Sequence, residues 1–93
     1  MIRAALGDNT LSLCGHAGFA PTGQDIVCAA VSALVYALIG TLEQHDNVAA
    51  LECRKGHVSV TAKRPDPAFD VIRCGLTQIE GEYSGYIQVK SEE

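Results

Sequence analysis

Asp25, Cys28 and Ser32 stand at offsets of three and four in a stretch otherwise built of Ile, Val, Ala and Leu, and His16 precedes them behind Gly15. A helix turns by about 100° per residue, so this spacing sets a carboxyl, a thiol and a hydroxyl along one narrow face. Each must find a partner if buried, and a helix meant only for packing has no use for such a stripe. A thiol attacks as its thiolate; with an ordinary pKa of ~8.5 it needs an imidazole or a helix amino terminus nearby to hold that form. If the strand before His16 ends beside the start of the helix, the imidazole can take the thiol proton and later return it to a leaving amine. Unpaired N–H groups in the first helical turn would favour the thiolate, and similar donors would hold an oxyanion.

Taken singly, each residue has a plainer role. A cysteine on an apolar helix is most often a small core residue. Ser32 can bond the carbonyl one turn back, Asp25 can simply cap the helix, and His16 can be a loop histidine with one satisfied hydrogen bond.

The elements that must position these groups follow from pattern. Residues 1–6 and 10–15 read as two strands joined across Gly7-Asp8-Asn9, a strong hairpin turn signal. A loop over 16–23 carries Gly18, Pro21 and Gly23. Thr22 with Asp25 three residues on predicts a capping box that starts a helix running to about Gln44. The middle of that helix is apolar on nearly all sides, which predicts that it is largely buried. Residues 48–53 and 57–63 form a second hairpin across Arg54-Lys55-Gly56, with Val58, Val60 and Ala62 alternating against polar neighbours. Asp66-Pro67 opens a second helix, Asp as N-cap and Pro first inside, with Phe69, Ile72, Leu76, Ile79 and Tyr83 as its apolar stripe. Tyr86 to Lys90 reads as a closing strand. The order β-β-α-β-β-α-β predicts an α+β fold: a small two-layer domain over 1–93, its sheet mostly antiparallel or mixed and covered by two helices. Which strands are neighbours does not follow from the pattern.

Composition narrows the class. The 93 residues are 47% hydrophobic and 19% charged, without Trp, a globular composition resting on small aliphatic residues. The net charge of −4, with no Lys/Arg cluster larger than a pair, speaks against a nucleic-acid platform and suits a basic partner. No apolar amino-terminal stretch reads as a signal peptide, and the run Ile26 to Ile39 falls short of the roughly 20 residues of a membrane span. A cytoplasmic protein is expected. Its four cysteines are then free thiols, metal ligands or a nucleophile rather than disulfides.

Gly15-His16-Ala17, the glycine-containing loop, and Gly23-Gln24-Asp25-Ile26-Val27-Cys28-Ala29-Ala30-Val31-Ser32-Ala33-Leu34 resemble the signature of the ribosomal-processing cysteine protease family (Prp). The resemblance covers about a quarter of the chain directly. It implies a cytosolic bacterial endopeptidase, a homodimer, that removes a short amino-terminal extension from large-subunit ribosomal protein number twenty-seven. It implies no cofactor or metal, no direct nucleic-acid partner and no membrane. By the same resemblance Cys28 is the nucleophile, His16 the general base and acid, and Asp25 and Ser32 are supporting positions. The loop holding Gly15, Gly18 and Gly23 then matches the family's mobile substrate loop.

Three rivals stand beside this reading. An inactive dimeric adaptor would hold the same ribosomal peptide without cutting it. A zinc-binding structural domain would use Cys14, His16, Cys28 and one further ligand, though no Cys-x-x-Cys pair supports it. A thiol redox protein would pair Cys14 with Cys28. Of the other thiols, Cys14 is expected to pack, Cys74 to be exposed opposite its helix's apolar stripe, and Cys53 to flank the hairpin turn with His57; His45 is expected in solvent.

Overall fold

A computed structural model describes residues 1–91. Five strands and two helices follow in order: β1 (Ile2–Leu6), β2 (Thr10–Cys14), α1 (Ile26–Gln44), β3 (Ala50–Arg54), β4 (His57–Thr61), α2 (Ala68–Glu82) and β5 (Ile87–Ser91). Period-two alternation makes the sheet one-faced. Ile2, Ala4 and Leu6 of β1, Leu11 and Leu13 of β2, Val60 of β4 and Ile87 of β5 are buried, while the residues between them are half-buried or exposed. Register keeps the apolar set together, with Leu6 opposite Leu11, Leu11 opposite Val60, and Ile2 opposite Ile87. Both helices pack on that face and on each other, Phe69, Ile72 and Leu76 of α2 meeting Val27, Val31, Val35, Leu38 and Leu42 of α1 in one core. Burying each such side chain contributes about 1.5–3 kcal/mol.

The strand order β3-β4-β2-β1-β5 was not legible in the pattern. The sheet is mixed: β1 runs parallel to β5, and every other pair is antiparallel. Each helix therefore crosses over an intervening part of the sheet. α1 carries the chain from β2 past β4 to the edge strand β3, and α2 carries it from β4 past β2 and β1 to the other edge, β5.

Several local expectations are corrected. Thr22 does not open a capping box; Asp25 is itself the N-cap of α1, extended at φ −84°, ψ 100°. α1 is not buried all round. Val27, Val31, Val35, Leu38, Ile39 and Leu42 face the core, whereas Ile26 (53% exposed), Tyr36 (64%) and Ala29, Ala30, Ala33 and Ala37 face outward, because one sheet and one partner helix cover only one side. By length and composition this helix would also pass as a membrane span, contrary to the sequence estimate. The second hairpin is two residues shorter on each strand at its open end than expected, while β3 runs one residue further into the turn, Ala50–Arg54 with His57–Thr61. At α2 the N-cap is Pro67 rather than Asp66, and Pro67 is not inside the helix, which begins at Ala68; the Asp66 side chain, one residue earlier, accepts the Ala68 N–H at 3.0 Å.

Candidate active site

The site is built where the end of β2, the start of α1 and the β3–β4 turn converge. Gly15 leaves β2 at φ +92°, and a side chain there would lie 2.4 Å from the Met1 carbonyl, so only glycine lets the strand end pass β1 this closely. The chain then turns back over α1, and the Ala17 N–H donates to Cys28 Sγ at 3.3 Å. Cys28 is the third residue of α1 and half-buried. The expected juxtaposition of strand end and helix start is therefore present.

Asp25 organises this corner. One carboxylate oxygen accepts the N–H groups of Val27 and Cys28, both at 3.0 Å, and the other accepts those of Phe19 at 3.0 Å and Ala20 at 3.5 Å. The Cys28 N–H, with those of Phe19 and Ala20, holds the Asp25 carboxyl below its ordinary range, against a smaller opposing effect of desolvation. The carboxylate thus ties the loop to the helix. It also corrects the expectation that first-turn N–H groups are free for the thiolate or an oxyanion, since those of Val27 and Cys28 are taken. The donor that faces the sulfur is Ala17 N–H, which the residue pattern did not reveal. A second tie comes from Phe19, whose ring meets Tyr83 edge-on (centroids 5.6 Å apart) and Tyr86 (5.1 Å). Gly18 and Gly23 both take positive φ in this loop.

His16 and Cys28 line the same cleft, without a direct hydrogen bond between imidazole and thiol among the described residues. The cleft has two limbs that share His16, Cys28, Ser32 and Lys55. The first, about 490 Å³, runs between α1 and the β3–β4 hairpin over Leu13, Val31, Val35, Tyr36 and Val58. The second, about 710 Å³, follows the glycine loop along Gly18, Gly23 and Asp25. Ser32 is exposed one turn beyond Cys28 and opens onto both.

Arg54 and Lys55 line the first limb beside the imidazoles of His16 and His57, and among the described residues no carboxylate lines it. The second limb, which also reaches Cys28, carries the Asp25 carboxylate. Cys53 also lines the first limb, a role the sequence did not suggest, as do Lys55 and Gly56.

The remaining expectations sort plainly. Cys14 does not pack; it is exposed because β2 turns Leu11 and Leu13 inward and Cys14 outward. Cys74 is exposed, as its place opposite the α2 stripe implied. His45 keeps half its side chain in solvent but pairs with Asp66, Nδ1 to Oδ2 at 2.7 Å. All four cysteines are free thiols. Among the described residues no group of three or more His, Cys, Asp or Glu is assembled to hold a metal, so Cys14, His16 and Cys28 form no ligand set.

A family model described as cysteine protease Prp matches residues 1–88. The chain belongs to the Prp family of cysteine proteases. It is 35% identical over 98 residues to the ribosomal processing cysteine protease Prp of Mycoplasma genitalium, covering 99% of this chain and 97% of that one. A second Prp, from Mycoplasma pneumoniae, is 44% identical over 43 residues, 46% of this chain and 43% of its own. The fold is that of S. aureus Prp in complex with a covalently linked product peptide, with a TM-score of 0.88 at 20% identity over 99% of this chain and 100% of that one. The same S. aureus protease with a substrate peptide superposes at a TM-score of 0.81 and 21% identity, again over 99% and 100% of the two chains. The order β-β-α-β-β-α-β on an open mixed sheet is thus the Prp arrangement.

Proposed function

We propose that this Prp-family protease is a cytoplasmic endopeptidase that removes the amino-terminal extension of a large-subunit ribosomal protein precursor, number twenty-seven, with Cys28 as nucleophile and His16 as general base and acid. The observation that carries the reading is the half-buried Cys28 thiol sharing one cleft with the His16 imidazole while the Ala17 N–H points at its sulfur. His16 takes the thiol proton, and the thiolate, held by the Ala17 N–H, adds to the scissile carbonyl. Protonated His16 gives its proton to the leaving amine, and the C–N bond breaks to leave a thioester on Cys28. His16 then deprotonates a water that attacks the thioester and releases the extension as a carboxylic acid, restoring the thiol.

The cleft's form supports a peptide as substrate. An extended segment fits along two limbs that meet at the thiol, its apolar side chains against Leu13, Val35 and Val58 and its backbone within reach of the exposed Ser32. Asp25 serves by fixing the loop and the helix start, and Gly18 and Gly23 give the loop its turns. For a homodimer, the supporting feature is the outward face of α1. Its alanines allow close approach of a second helix, and Ile26 and Tyr36 are its large exposed apolar groups.

Mass spectrometry of the extended precursor incubated with the chain, beside Cys28→Ala and His16→Ala, tests the function. One cleavage by the parent, lost in Cys28→Ala and reduced at least about a thousandfold in His16→Ala, is expected. Tight binding of the extension by the parent without cleavage would instead support the adaptor.

A further inference from the structure

We propose that Gly56, in the turn between β3 and β4, is a positioning residue for His16, its carbonyl fixing the backbone before the imidazole and its missing side chain keeping one ring nitrogen open to the cleft. The inference rests on the reading of His16 as general base. Its own basis is a set of contacts between residues forty or more apart in sequence.

β2 and β4 pair antiparallel as far as Cys14 opposite His57. One residue further, the Gly15 N–H donates to the Gly56 carbonyl at 3.0 Å, so the sheet's pairing is carried past the strand end up to His16. Gly15 is confined on the other side by the Met1 carbonyl, 2.4 Å from where a side chain would begin. His16 thus leaves a backbone held on two sides, which a loop histidine would otherwise lack. Such a tether limits the freedom a base must lose on reaching its working position at each turnover.

The side-chain contact is more specific. Gly56 has φ +74°, and a Cβ there would sit 3.5 Å from His16 Nε2. That is ordinary van der Waals contact, so a Cβ could be accommodated in space, but it would lie against Nε2 and narrow the approach to it. A ring nitrogen so hindered is slower to accept a proton from the thiol or from water, or to hand one to the leaving amine. The neighbouring Lys55 lines both limbs of the cleft, so the same turn that borders the substrate path also borders the base.

The test uses the full chain with Gly56→Asn, Gly56→Ala and His16→Ala. Asn tolerates positive φ and so keeps the turn, whereas Ala adds backbone strain to the same methyl contact. Two readouts are taken: cleavage kinetics on the extended ribosomal precursor across pH, and an NMR titration of the His16 ring. Gly56→Asn is expected to fold as the parent does, to lose about tenfold in kcat with KM within about twofold, and to move the His16 ring titration by about half a unit or more from the parent's. Gly56→Ala should lose at least as much. A folded Gly56→Asn with the parent's kcat, pH profile and ring titration would overturn the role of Gly56 while leaving the dyad standing. His16→Ala cleaving at the parent's rate would remove the dyad itself, and with it any base for Gly56 to position.

Discussion

Asp25 shows how a residue read for chemistry can act through structure. Its two oxygens are spent on four backbone N–H groups, two in the loop and two in the helix, so it joins the segment bearing His16 to the one bearing Cys28. The capping role was legible from an acid before an apolar helix; the loop half was not, because no local pattern says which distant amides fold over a cap. Asp66 is similar. It accepts the Ala68 N–H and pairs with His45, and those two contacts, in that order, lower its carboxyl from the ordinary range. Both acids are thus favoured as carboxylates in the folded chain. Their stabilisation is fully present above the ordinary carboxylate pKa of about 3.9 and is lost as pH falls through their lower folded-state values. The double variant Asp25→Asn, Asp66→Asn should therefore melt lower than the parent at neutral pH and lose less between roughly pH 5 and 2. Parallel melting curves across that range, followed by circular dichroism, would mean the two carboxylates contribute no acid sensitivity.

At the scale of elements, the strands, both helices and their order follow from periodicity, because alternation and the three-four stripe of α2 are strong signals over short windows. Two things did not follow. The burial of α1 was overestimated, since apolar content alone does not say how many neighbours a helix has. The β3–β4 hairpin was recognised, but its place beside His16 depends on β2–β4 pairing across more than forty residues, which leaves no trace in either segment. The glycine loop was read as mobile, and Phe19 is where that can be tested. Its ring, 38% exposed, rests against Tyr83 and Tyr86 and holds the loop alongside the Asp25 carboxylate and the Ala17 N–H bond to Cys28 Sγ. Phe19→Ala should raise amide exchange over residues 17–20 by about tenfold while the core helices exchange as before. Unchanged loop exchange would mean that the hydrogen bonds to Asp25 and Cys28 hold it without the ring.

For the whole molecule, one covered sheet face and one half-covered helix leave a specific deficit. Among the described residues eighteen apolar side chains form the core, yet α1 turns Ile26, Tyr36 and four alanines outward on the same side as the cleft. The stripe was read as burial, and the pattern had no means of dividing an internal core from an interface. A second copy on this face predicts a dimer by analytical ultracentrifugation, shifted to monomer by Ala33→Arg with the fold intact. A parent that sediments as a monomer at tens of micromolar would remove that assembly and leave a site complete within one chain.

The reading of Cys28 as nucleophile meets its most direct test in the mass of the protein during turnover. Acid quenching of the chain with extended ribosomal precursor should trap the parent carrying the released extension less one water, mapped by peptide digestion to Cys28. The trapped mass should be absent from Cys28→Ala, which should also leave the precursor whole. A trapped extension on Cys14, Cys53 or Cys74, or cleavage that persists in Cys28→Ala, would contradict it.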